Sequence, residues 1–417
     1  MRALVFVLVL SVAIPVLIVP STNVSALTTV AYTTTADFDS GTKSDSSGDH
    51  FLDNGVDSPF YGFTNIPQAA FNGGRTYIAY QGAISFMPYV TYYDHAANTW
   101  ANQVPASTTN PLDADGHGGP AILVQSTGRI HIFYGAHDSE IQYRRSRAVS
   151  DITSWEQMTA FSGTNTYPHA WETSNNTMYL LYRCGGLSGG DWCWRFSTDT
   201  GATWSTEAVK IDLGGAATPY VGQSKLVSGK YVFAYVKHND DGDQKRKNVY
   251  SCRIDMATGN IESFGGTNLG IVLDDTESTA SCRIEDTGAD ETWYAALDVD
   301  ASGNPYVIYS RGIGTSVNQR FSYWTGVAWS APTNIVATDE LASYSALIAT
   351  SATNVEAFLT TAGGATAYNG DLERWTYTGT WTRAEVLQTE AANGWAVSFP
   401  FVPVNYDLEL KVVFAEW

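Results

Sequence analysis

Residues 178–182 read Met-Tyr-Leu-Leu-Tyr, an apolar and aromatic run of strand-forming residues that ends on a tyrosine. The pair Asn175-Asn176, which tolerates the positive φ of a tight turn, stands just before it. Similar runs recur along the chain, at residues 76–80, 130–134, 178–182, 231–235, 306–310, 355–360 and 411–415. The chain therefore contains seven copies of one strand-based unit.

The spacing of these copies indicates the architecture. Most copies begin about 50 residues after the previous one, and 75 residues separate Tyr231 from Tyr306, so we expect an insertion within about residues 237–290. A period of about 50 residues is typical of a propeller blade. We predict an all-β fold, a seven-bladed β-propeller of four-stranded antiparallel blades. Residues 28–34 could close the ring by joining the last blade, which would remove an exposed sheet edge.

The N-terminus has the pattern of a secretory signal peptide. Arg2 supplies a positive charge, residues 3–20 are apolar, and Val24-Ser25-Ala26 fits a small-residue cleavage site. We predict removal of residues 1–26 and a single propeller domain over residues 27–417, secreted to the extracellular space or the periplasm. An uncleaved anchor is the alternative, because the apolar stretch approaches membrane-spanning length.

Charge limits the partners of the protein. The chain has 42 acidic and 23 basic residues, and its formal net charge is −19 at pH 7. This charge argues against nucleic acid and against an anionic membrane surface as partners. A polyanionic ligand would be repelled at long range and would have to be held by local cations, and salt would screen that repulsion.

Two histidines are expected to meet at the open end of one hairpin. Apolar runs flank the turn sequence Ser126-Thr127-Gly128. If Thr127 is the centre, His117 and His137 occupy facing positions, and facing residues of an antiparallel pair have Cβ atoms about 5 Å apart on one face. Imidazoles at such loops suit proton transfer. The alternative is that both satisfy backbone groups.

The next two turns predict a row of polar side chains. Centring the first turn on Asn175-Asn176 pairs His169 with Tyr182, and centring the second between positions 188 and 189 pairs Tyr182 with Arg195. The row His169–Tyr182–Arg195 would cross three strands, although a slip of one residue would send every side chain to the other face. Each residue alone also has an ordinary structural role.

Four cysteines suit an exported protein with disulfides. The same register places Cys184 opposite Cys193, so we predict a disulfide that braces the loop between them. Cys252 and Cys282 either form a second bridge or join His238 as zinc ligands, although their spacing matches no standard zinc site.

An acidic stretch leaves a structural ion open. Asp240-Asp241-Gly242-Asp243 resembles part of a calcium loop but lacks the later glutamate of an EF-hand. Its other interpretation is a solvated turn beside the basic Lys245-Arg246-Lys247. A structural zinc or calcium ion is therefore an alternative, and the chemistry described below requires no cofactor.

Residues 197–204 match the Asp-box, S-x-D-x-G-x-T-W, in full. In this motif the chain resembles sialidase-like propellers, in which the Asp-box forms a hairpin turn on the face away from the active site. Turns that join the first two or the last two strands of a blade lie on one face, so the turns at 126–128 and 175–176 share this bottom face. The opposite, top face would then gather His117, His137, His169, Tyr182 and Arg195.

Over about residues 110–255 the chain also resembles the propeller polysaccharide lyases, especially the ulvan lyases that cut next to uronic acids. The similar segments are residues 115–120 (DGHGGP), 131–137 (HIFYGAH), 142–146 (QYRRS), 181–183 (LYR), Arg195 before the Asp-box, and 248–250 (NVY). The resemblance implies a lyase that cleaves an ulvan-like polysaccharide by β-elimination and leaves a 4,5-unsaturated uronyl end. It also implies a site of two histidines, a tyrosine, an arginine and a later tyrosine, which fall on His117, His137, Tyr182, Arg195 and Tyr235.

These residue types suit the reaction. β-Elimination needs neutralisation of the C6 carboxylate, a base for the C5 proton and an acid for the departing O4. We assign His117 and Tyr182 as the base and acid pair. Arg195 and His137 would neutralise the carboxylate. Tyr235 would support the pair or act as the base for the other C5 epimer.

Further expectations concern neighbours and partners. His169 is expected to support the site from behind, and Tyr231 and Lys237 are close rivals of Tyr235. The expected partner is an anionic polysaccharide. No metal is needed if cations and protonated groups bear the developing charge, and we expect a monomer.

Two other functions are compatible with the sequence. A sialidase-like hydrolase shares the Asp-box, but the N-terminal Arg-Ile-Pro signature of sialidases is absent. A non-catalytic carbohydrate-binding propeller would present an aromatic face with few titratable groups. The candidate residues for the hydrolase are Arg75, Arg129, Arg183, Arg311, Asp113 and Asp115.

Overall fold

The computed structural model describes residues 3–6, 50–53 and 65–416, with gaps at 83–85, 113–114, 187–188, 216, 240–244, 294, 315, 339–343, 363–369, 389–396 and 408–409. The described part is built from antiparallel strands and three short helical turns. These turns are a 3-10 turn at Gly116–Gly118, an α-helical turn at Asp275–Glu277 and a π-helical turn at Ser278–Cys282.

The strands follow one another in antiparallel sheets. The N-terminal strands are β1 (Ala3–Phe6), β2 (His50–Asp53), β3 (Ala69–Asn72), β4 (Arg75–Gln81), β5 (Pro88–Asp94), β6 (Thr99–Trp100) and β7 (Val104–Pro105). The central strands are β8 (Ala121–Val124), β9 (Ile130–Tyr134), β10 (Ser139–Ser146), β11 (Trp155–Gln157), β12 (Phe161–Glu172), β13 (Met178–Cys184), β14 (Asp191–Ser197), β15 (Ala208–Ile211), β16 (Ala217–Val227), β17 (Lys230–Asn239), β18 (Arg246–Asp255), β19 (Ile261–Glu262) and β20 (Arg283–Glu285). The remaining strands are β21 (Glu291–Thr292), β22 (Ala296–Val299), β23 (Pro305–Ile313), β24 (Ser316–Tyr323), β25 (Thr333–Thr338), β26 (Ser345–Ser351), β27 (Asn354–Ala362), β28 (Gly370–Tyr377), β29 (Trp381–Gln388), β30 (Val397–Phe401) and β31 (Val413–Glu416).

Strand pairing gives mostly four-stranded blades, as predicted. Successive antiparallel strands form β8–β11, β12–β15 and β26–β29, and elsewhere two short strands share one position, as β19 and β20 do beside β18. The repeated runs of the sequence lie in or overlap the equivalent strands β4, β9, β13, β17, β23, β27 and β31. The count of seven blades stays a prediction. The predicted insertion corresponds to β19, β20 and the helical turns between them.

The last sheet joins the two ends of the described chain. β31 pairs with β1, and β1 pairs with β2, so these N-terminal strands extend the sheet that contains β30. Residues 28–34, which were predicted for this role, lie outside the described residues. The signal peptide over residues 1–26 stays a prediction, and its removal would also remove β1 from this sheet. Within the described residues, no helix is both long and apolar enough to cross a bilayer.

The register of the β8–β9 hairpin agrees with the sequence-based prediction. Leu123 lies opposite His131, and Val124 lies opposite Ile130. These pairs are centred on Thr127, because the turn at 126–128 closes tightly, with the Gly128 N–H donating to the Gln125 carbonyl at 2.8 Å. His117 and His137 extend from this hairpin at its open end.

The prediction that His169 faces Tyr182 is wrong by one residue. His169 lies opposite Leu181. The hairpin closes between Thr173 and Thr177, whose backbone N–H and carbonyl are 2.9 Å apart. This bond leaves a three-residue loop centred on position 175, whereas the prediction assumed a two-residue turn. The slip turns the side chains of β13 over relative to the predicted row.

Tyr182 and Arg195 are not directly opposite each other either. Tyr182 pairs with Cys193, and Arg195 pairs with Leu180, so the register differs by two residues and the two side chains still share a face. Arg195 Nε donates to Tyr182 Oη at 2.8 Å. The predicted Cys184–Cys193 disulfide forms diagonally across the two strands, with Cα atoms 5.9 Å apart.

Cys252 and Cys282 form the second disulfide, with Cα atoms 5.4 Å apart. This bridge ties β18 to the helical turn Ser278–Cys282. Zinc ligation by these cysteines with His238 is therefore wrong, because both sulfur atoms are covalently bonded to each other. The His238 ring packs against Tyr220 instead, with ring centroids 5.1 Å apart. The acidic stretch at 240–243 lies outside the described residues.

The Asp-box joins β14 to β15, as predicted. Ser197 Oγ accepts from the Gly201 N–H at 2.9 Å, and Asp199 accepts from the Thr203 hydroxyl at 2.6 Å and from the Thr203 N–H at 2.9 Å. These bonds from Thr203, with a further bond from Ser197, lower the pKa of Asp199 to about 2. The Trp204 ring packs edge-on against aromatic rings of the preceding blade. The motif therefore acts as a structural turn that joins neighbouring blades.

The turns predicted to share the bottom face do adjoin. Ser126 Oγ lies 3.2 Å from Asn176 Oδ1. Arg145 Nη1 donates to the Thr200 carbonyl of the Asp-box at 2.8 Å. The histidines lie at the other ends of these strands, which we call the top face.

Candidate active site

A stacked pair of imidazoles forms the centre of the site. The rings of His117 and His137 lie parallel within 11°, with centroids 3.7 Å apart. His117 belongs to the 3-10 turn Gly116–Gly118 ahead of β8, and His137 follows β9. Asn65 Nδ2 holds this turn by donating to the carbonyl oxygens of His117 at 3.1 Å and Gly119 at 2.8 Å. The predicted meeting of the two histidines is confirmed.

One carboxylate orients both rings. Asp115 Oδ1 lies 2.6 Å from His117 Nδ1, and Asp115 Oδ2 lies 2.6 Å from His137 Nδ1. Burial opposes the charge of Asp115, but hydrogen bonds from both histidines outweigh burial and hold the pKa of this carboxyl far below its usual range. An ionised carboxylate only accepts hydrogen bonds, so both Nδ1 atoms carry the proton and both Nε2 atoms are acceptors in the neutral rings.

The acceptor nitrogen of His117 faces a tyrosine. His117 Nε2 lies 3.1 Å from Tyr167 Oη. Burial lowers the pKa of His117 and outweighs the opposing hydrogen bond to Asp115, which favours the neutral imidazole. Tyr167 lies at a bulge of β12 and has a φ of +60°, a conformation that is rare for a bulky residue and that clusters at functional sites. The bulge turns Tyr167 towards the histidine pair.

A buried arginine lies behind this tyrosine. The guanidinium carbon of Arg183 is 4.9 Å from the centroid of the Tyr167 ring, and Nη1 donates to Tyr220 Oη at 3.2 Å. Nη2 donates to Asp138 Oδ1 at 2.7 Å. Burial opposes the charge of Arg183, but Tyr167, Tyr220 and Asp138 outweigh it, so the pKa stays above its ordinary value. Arg183 therefore places a permanent positive charge beside two phenols.

Tyr182 and Arg195 belong to a different cluster. Tyr182 is fully buried, and its hydroxyl donates to Glu207 Oε2 at 2.6 Å while accepting from Arg195 Nε. Burial, together with Glu207, raises the pKa of Tyr182. Contrary to the prediction, Tyr182 does not pair with His117, because it lies on the opposite face of β13 from Arg183.

Tyr235 and His169 are also interior residues. Tyr235 is fully buried, stacks on Tyr250 with centroids 4.9 Å apart, and contacts the Ser278 hydroxyl. Burial raises the pKa of Tyr235. His169 is buried, and its Nδ1 lies 2.8 Å from Tyr231 Oη. These contacts give both residues a packing role between strands, so the structure does not bring them to the histidine pair.

Sequence reasoning missed Tyr167 and Tyr220, and it named Asp115 and Arg183 only for the alternative hydrolase. Arg183 was missed because the predicted register of β12 and β13 was off by one residue. That slip exchanges position 182 for position 183 at the site. The positive φ of Tyr167 leaves no mark in the sequence, although Pro168 after it disfavours a helix there.

Asp115, His117 and His137 are also a donor set of the kind that transition metals prefer. Their ligand atoms lie within 4.8 Å of one another. A second group of this kind, Cys184, Cys193 and Glu207, does not offer thiolates because its sulfur atoms form a disulfide.

One apolar-lined cavity among the described residues is separate from this site. A cavity of about 290 Å³ is lined by residues that include Gln68, Trp171, Lys225, Asp298 and Phe401. None of the histidine pair, Tyr167 or Arg183 lines it. The candidate chemistry therefore lies at the open top face.

The fold and the site define an all-β propeller with a cluster of acid–base groups on its top face. Residues 75–334 match the model of the BNR repeat-containing family, and the chain belongs to that family. The chain is 25% identical over 331 residues to the ulvan lyase of Alteromonas sp. (strain LOR), a match that covers 69% of this chain and 68% of the relative. It is 25% identical over 355 residues to Ulvan Lyase-PL25 of Pseudoalteromonas sp. (strain PLSV), covering 75% and 72%. The chain is thus related to polysaccharide lyases.

Solved structures confirm the fold. A polysaccharide lyase PL25 ulvan lyase, bound to -[GlcA(1-4)Rha3S]-, matches with a TM-score of 0.77 at 20% identity, over 87% of this chain and 91% of that chain. Polysaccharide lyase Uly1 matches with a TM-score of 0.62 at 11% identity, over 93% and 96%.

Proposed function

We propose that the protein cleaves a uronate-containing, ulvan-like polysaccharide by β-elimination and leaves a 4,5-unsaturated uronyl end. The observation that carries the proposal is the chain of contacts from Asp115 through His117 to Tyr167, with Arg183 beside the phenol. The relationship to ulvan lyases supports it, as does the relative that binds -[GlcA(1-4)Rha3S]-. We infer a substrate in which uronate and sulfated sugar alternate.

The substrate would approach the exposed edges of the imidazoles. The His117 side chain is 14% exposed and that of His137 is 27% exposed, so a sugar can reach both rings. His137 would bind the C6 carboxylate of the uronate as the imidazolium, whose Nε2–H donates to the sugar while its Nδ1–H stays on Asp115. Arg183 is too deeply buried to touch the sugar, but its charge favours negative charge at Tyr167 and on the nearby carboxylate.

Proton transfer would run through Tyr167. The phenol gives its proton to His117 Nε2, and the phenolate, stabilised by Arg183, removes the C5 proton. The C5–H electron pair forms the C4–C5 double bond, and the bond from C4 to O4 breaks. The His117 imidazolium returns its proton to O4, directly or through Tyr167, so the site ends in its starting protonation state once the phenol is restored.

We also propose that the protein is exported and acts as a monomer. The two disulfides support an oxidising compartment, because thiols stay reduced in the cytosol. The signal-peptide pattern of residues 1–26 also supports export, because such a segment directs secretion.

Absorbance near 235 nm, from the unsaturated uronyl product, tests the proposal on ulvan and on other uronate polymers. We expect the absorbance to rise with wild-type protein and kcat to fall by about 100-fold or more in Tyr167→Phe. Tyr182→Phe, from the other face of β13, is the matched control and should keep most activity. New reducing ends without absorbance would show hydrolysis instead, and activity lost only in Tyr182→Phe would restore the sequence-based assignment.

A further inference from the structure

A second group of basic and aromatic side chains adjoins the site on the top face of the β16–β20 blade. The guanidinium carbon of Arg246 lies 4.8 Å from the centroid of the Tyr220 ring and 4.1 Å from the centroid of the Trp293 ring. The His238 ring lies 5.1 Å from the same Tyr220 ring. Arg246 begins β18, directly opposite His238 in the hairpin. We call Arg246, Trp293, Tyr220 and His238 the arginine platform.

The arginine platform is connected to the reaction centre through one phenol. The Tyr220 ring contacts two guanidinium groups, with the carbon of Arg183 5.5 Å and the carbon of Arg246 4.8 Å from its centroid. The arginine platform therefore adjoins the buried cation of the reaction centre through a shared aromatic ring. Tyr220 also packs against Tyr167, with ring centroids 5.9 Å apart, so a sugar next to the one acted on at Tyr167 would lie close to the arginine platform.

The chemistry of the platform suits an oxyanion. A guanidinium stacked on aromatic faces keeps its N–H edges directed sideways, where they can donate in pairs to a sulfate or carboxylate. Arg246 and Trp293 are partly exposed. The net charge of −19 repels a polyanion at long range, so a substrate of that kind needs cations placed locally along its path. Next to Arg246, Lys245 is 43% exposed and lies 3.4 Å from Glu291, so it is partly neutralised.

We propose that Arg246, held on Trp293 and Tyr220, binds the sulfate ester of the sugar adjacent to the cleaved uronate. The uronate is the group acted on at the histidine pair, so the remaining anion of the proposed repeating unit is the sulfate. A sulfate ester stays ionised over the whole working pH range, which suits recognition by a permanent cation. This inference rests on the proposed function and adds a determinant of substrate specificity to it.

Steady-state kinetics on ulvan and on chemically desulfated ulvan test the inference with the full-length protein. We expect Arg246→Gln to raise KM about tenfold on the sulfated polymer, to leave kcat nearly unchanged, and to leave KM on the desulfated polymer at the wild-type value. Arg253→Gln is the matched control. Arg253 lies on the same strand, pairs with Glu262 at 3.0 Å and makes its contacts away from the site, so its loss should not change either KM.

The outcomes separate this inference from the proposed function. Equal KM values for Arg246→Gln and wild type on the sulfated polymer would overturn the sulfate site while the lyase activity stands. An equal rise of KM on both polymers would also overturn it, because that result indicates a packing role. If wild-type protein gives no absorbance on any polymer, the proposed function fails. Calorimetric binding of sulfated and desulfated polymer to wild type and Arg246→Gln then still decides whether Arg246 recognises sulfate.

Discussion

At the scale of single residues, Asp115 controls the tautomers of both histidines. An Asp115→Asn variant offers one carbonyl oxygen and one amide, so the amide faces an Nδ1–H and favours the other tautomer of that ring. We expect kcat to fall by about 100-fold or more, with a smaller change of KM. The control is Asp151→Asn, in a surface turn where, among the described residues, Asp151 accepts hydrogen bonds from Thr153. Full activity of Asp115→Asn would show that the tautomers are fixed in another way.

The acid–base pair also sets the pH dependence. The mechanism needs neutral His117, and burial lowers its pKa from the ordinary 6.5, so kcat/KM should stay high below pH 6.5 and fall only at more acidic pH. The hydrogen bond to Asp115 partly offsets burial by raising this pKa, so the acidic limb should move to still lower pH in Asp115→Asn. A profile of kcat/KM from pH 4 to 9 measures the acidic limb of the wild-type protein and of Asp115→Asn. An acidic limb above pH 6.5 would assign the essential base to another group.

At the scale of strands and turns, the sequence predicted what local chemistry determines. The repeated apolar runs became equivalent strands, and the Ser126-Thr127-Gly128 turn placed His117 beside His137. The predicted register of the β12–β13 hairpin was wrong because its loop has three residues where two were assumed. The backbone hydrogen bond between Thr173 and Thr177 sets this loop length, and the sequence does not show it. Since neighbouring strand residues point to opposite faces, that single slip selected Tyr182 where the site uses Arg183.

The Cys184–Cys193 disulfide closes β13 against β14 next to Arg183, and this position predicts a link between the bridge and activity. Replacing both cysteines by serine should lower stability by about 2–3 kcal/mol, because the closed loop is short. It should also lower kcat, since Arg183 loses its braced neighbour. The Cys252/Cys282 double serine variant closes a longer loop away from the histidines, so it should lose slightly more stability and keep kcat. Thermal unfolding measures the stability of the two double variants, and kcat is compared at a temperature well below both Tm values. Equal kcat in the two variants would separate the bridge from the site.

At the scale of the whole molecule, a chain of net charge −19 is proposed to bind a polyanion. Two electrostatic effects with different ranges then compete. The overall repulsion acts across tens of ångströms. A modest salt concentration already screens it, because the Debye length falls to about 10 Å near 0.1 M. The contacts of Arg246 and the histidine pair act over a few ångströms and weaken only when the Debye length approaches about 3 Å near 1 M. We therefore expect kcat/KM to rise with salt, pass through a maximum and then decline.

The same series with Arg246→Gln isolates the short-range part of this balance. Removing one local cation leaves the overall repulsion almost unchanged, so the rise at low salt should persist in the variant. The decline at high salt should be shallower on sulfated polymer, because the contact that salt weakens is already missing. A monotonic fall of kcat/KM with salt in wild type would show that local cations dominate at every distance, and that the net charge of the molecule does not govern the approach of the substrate.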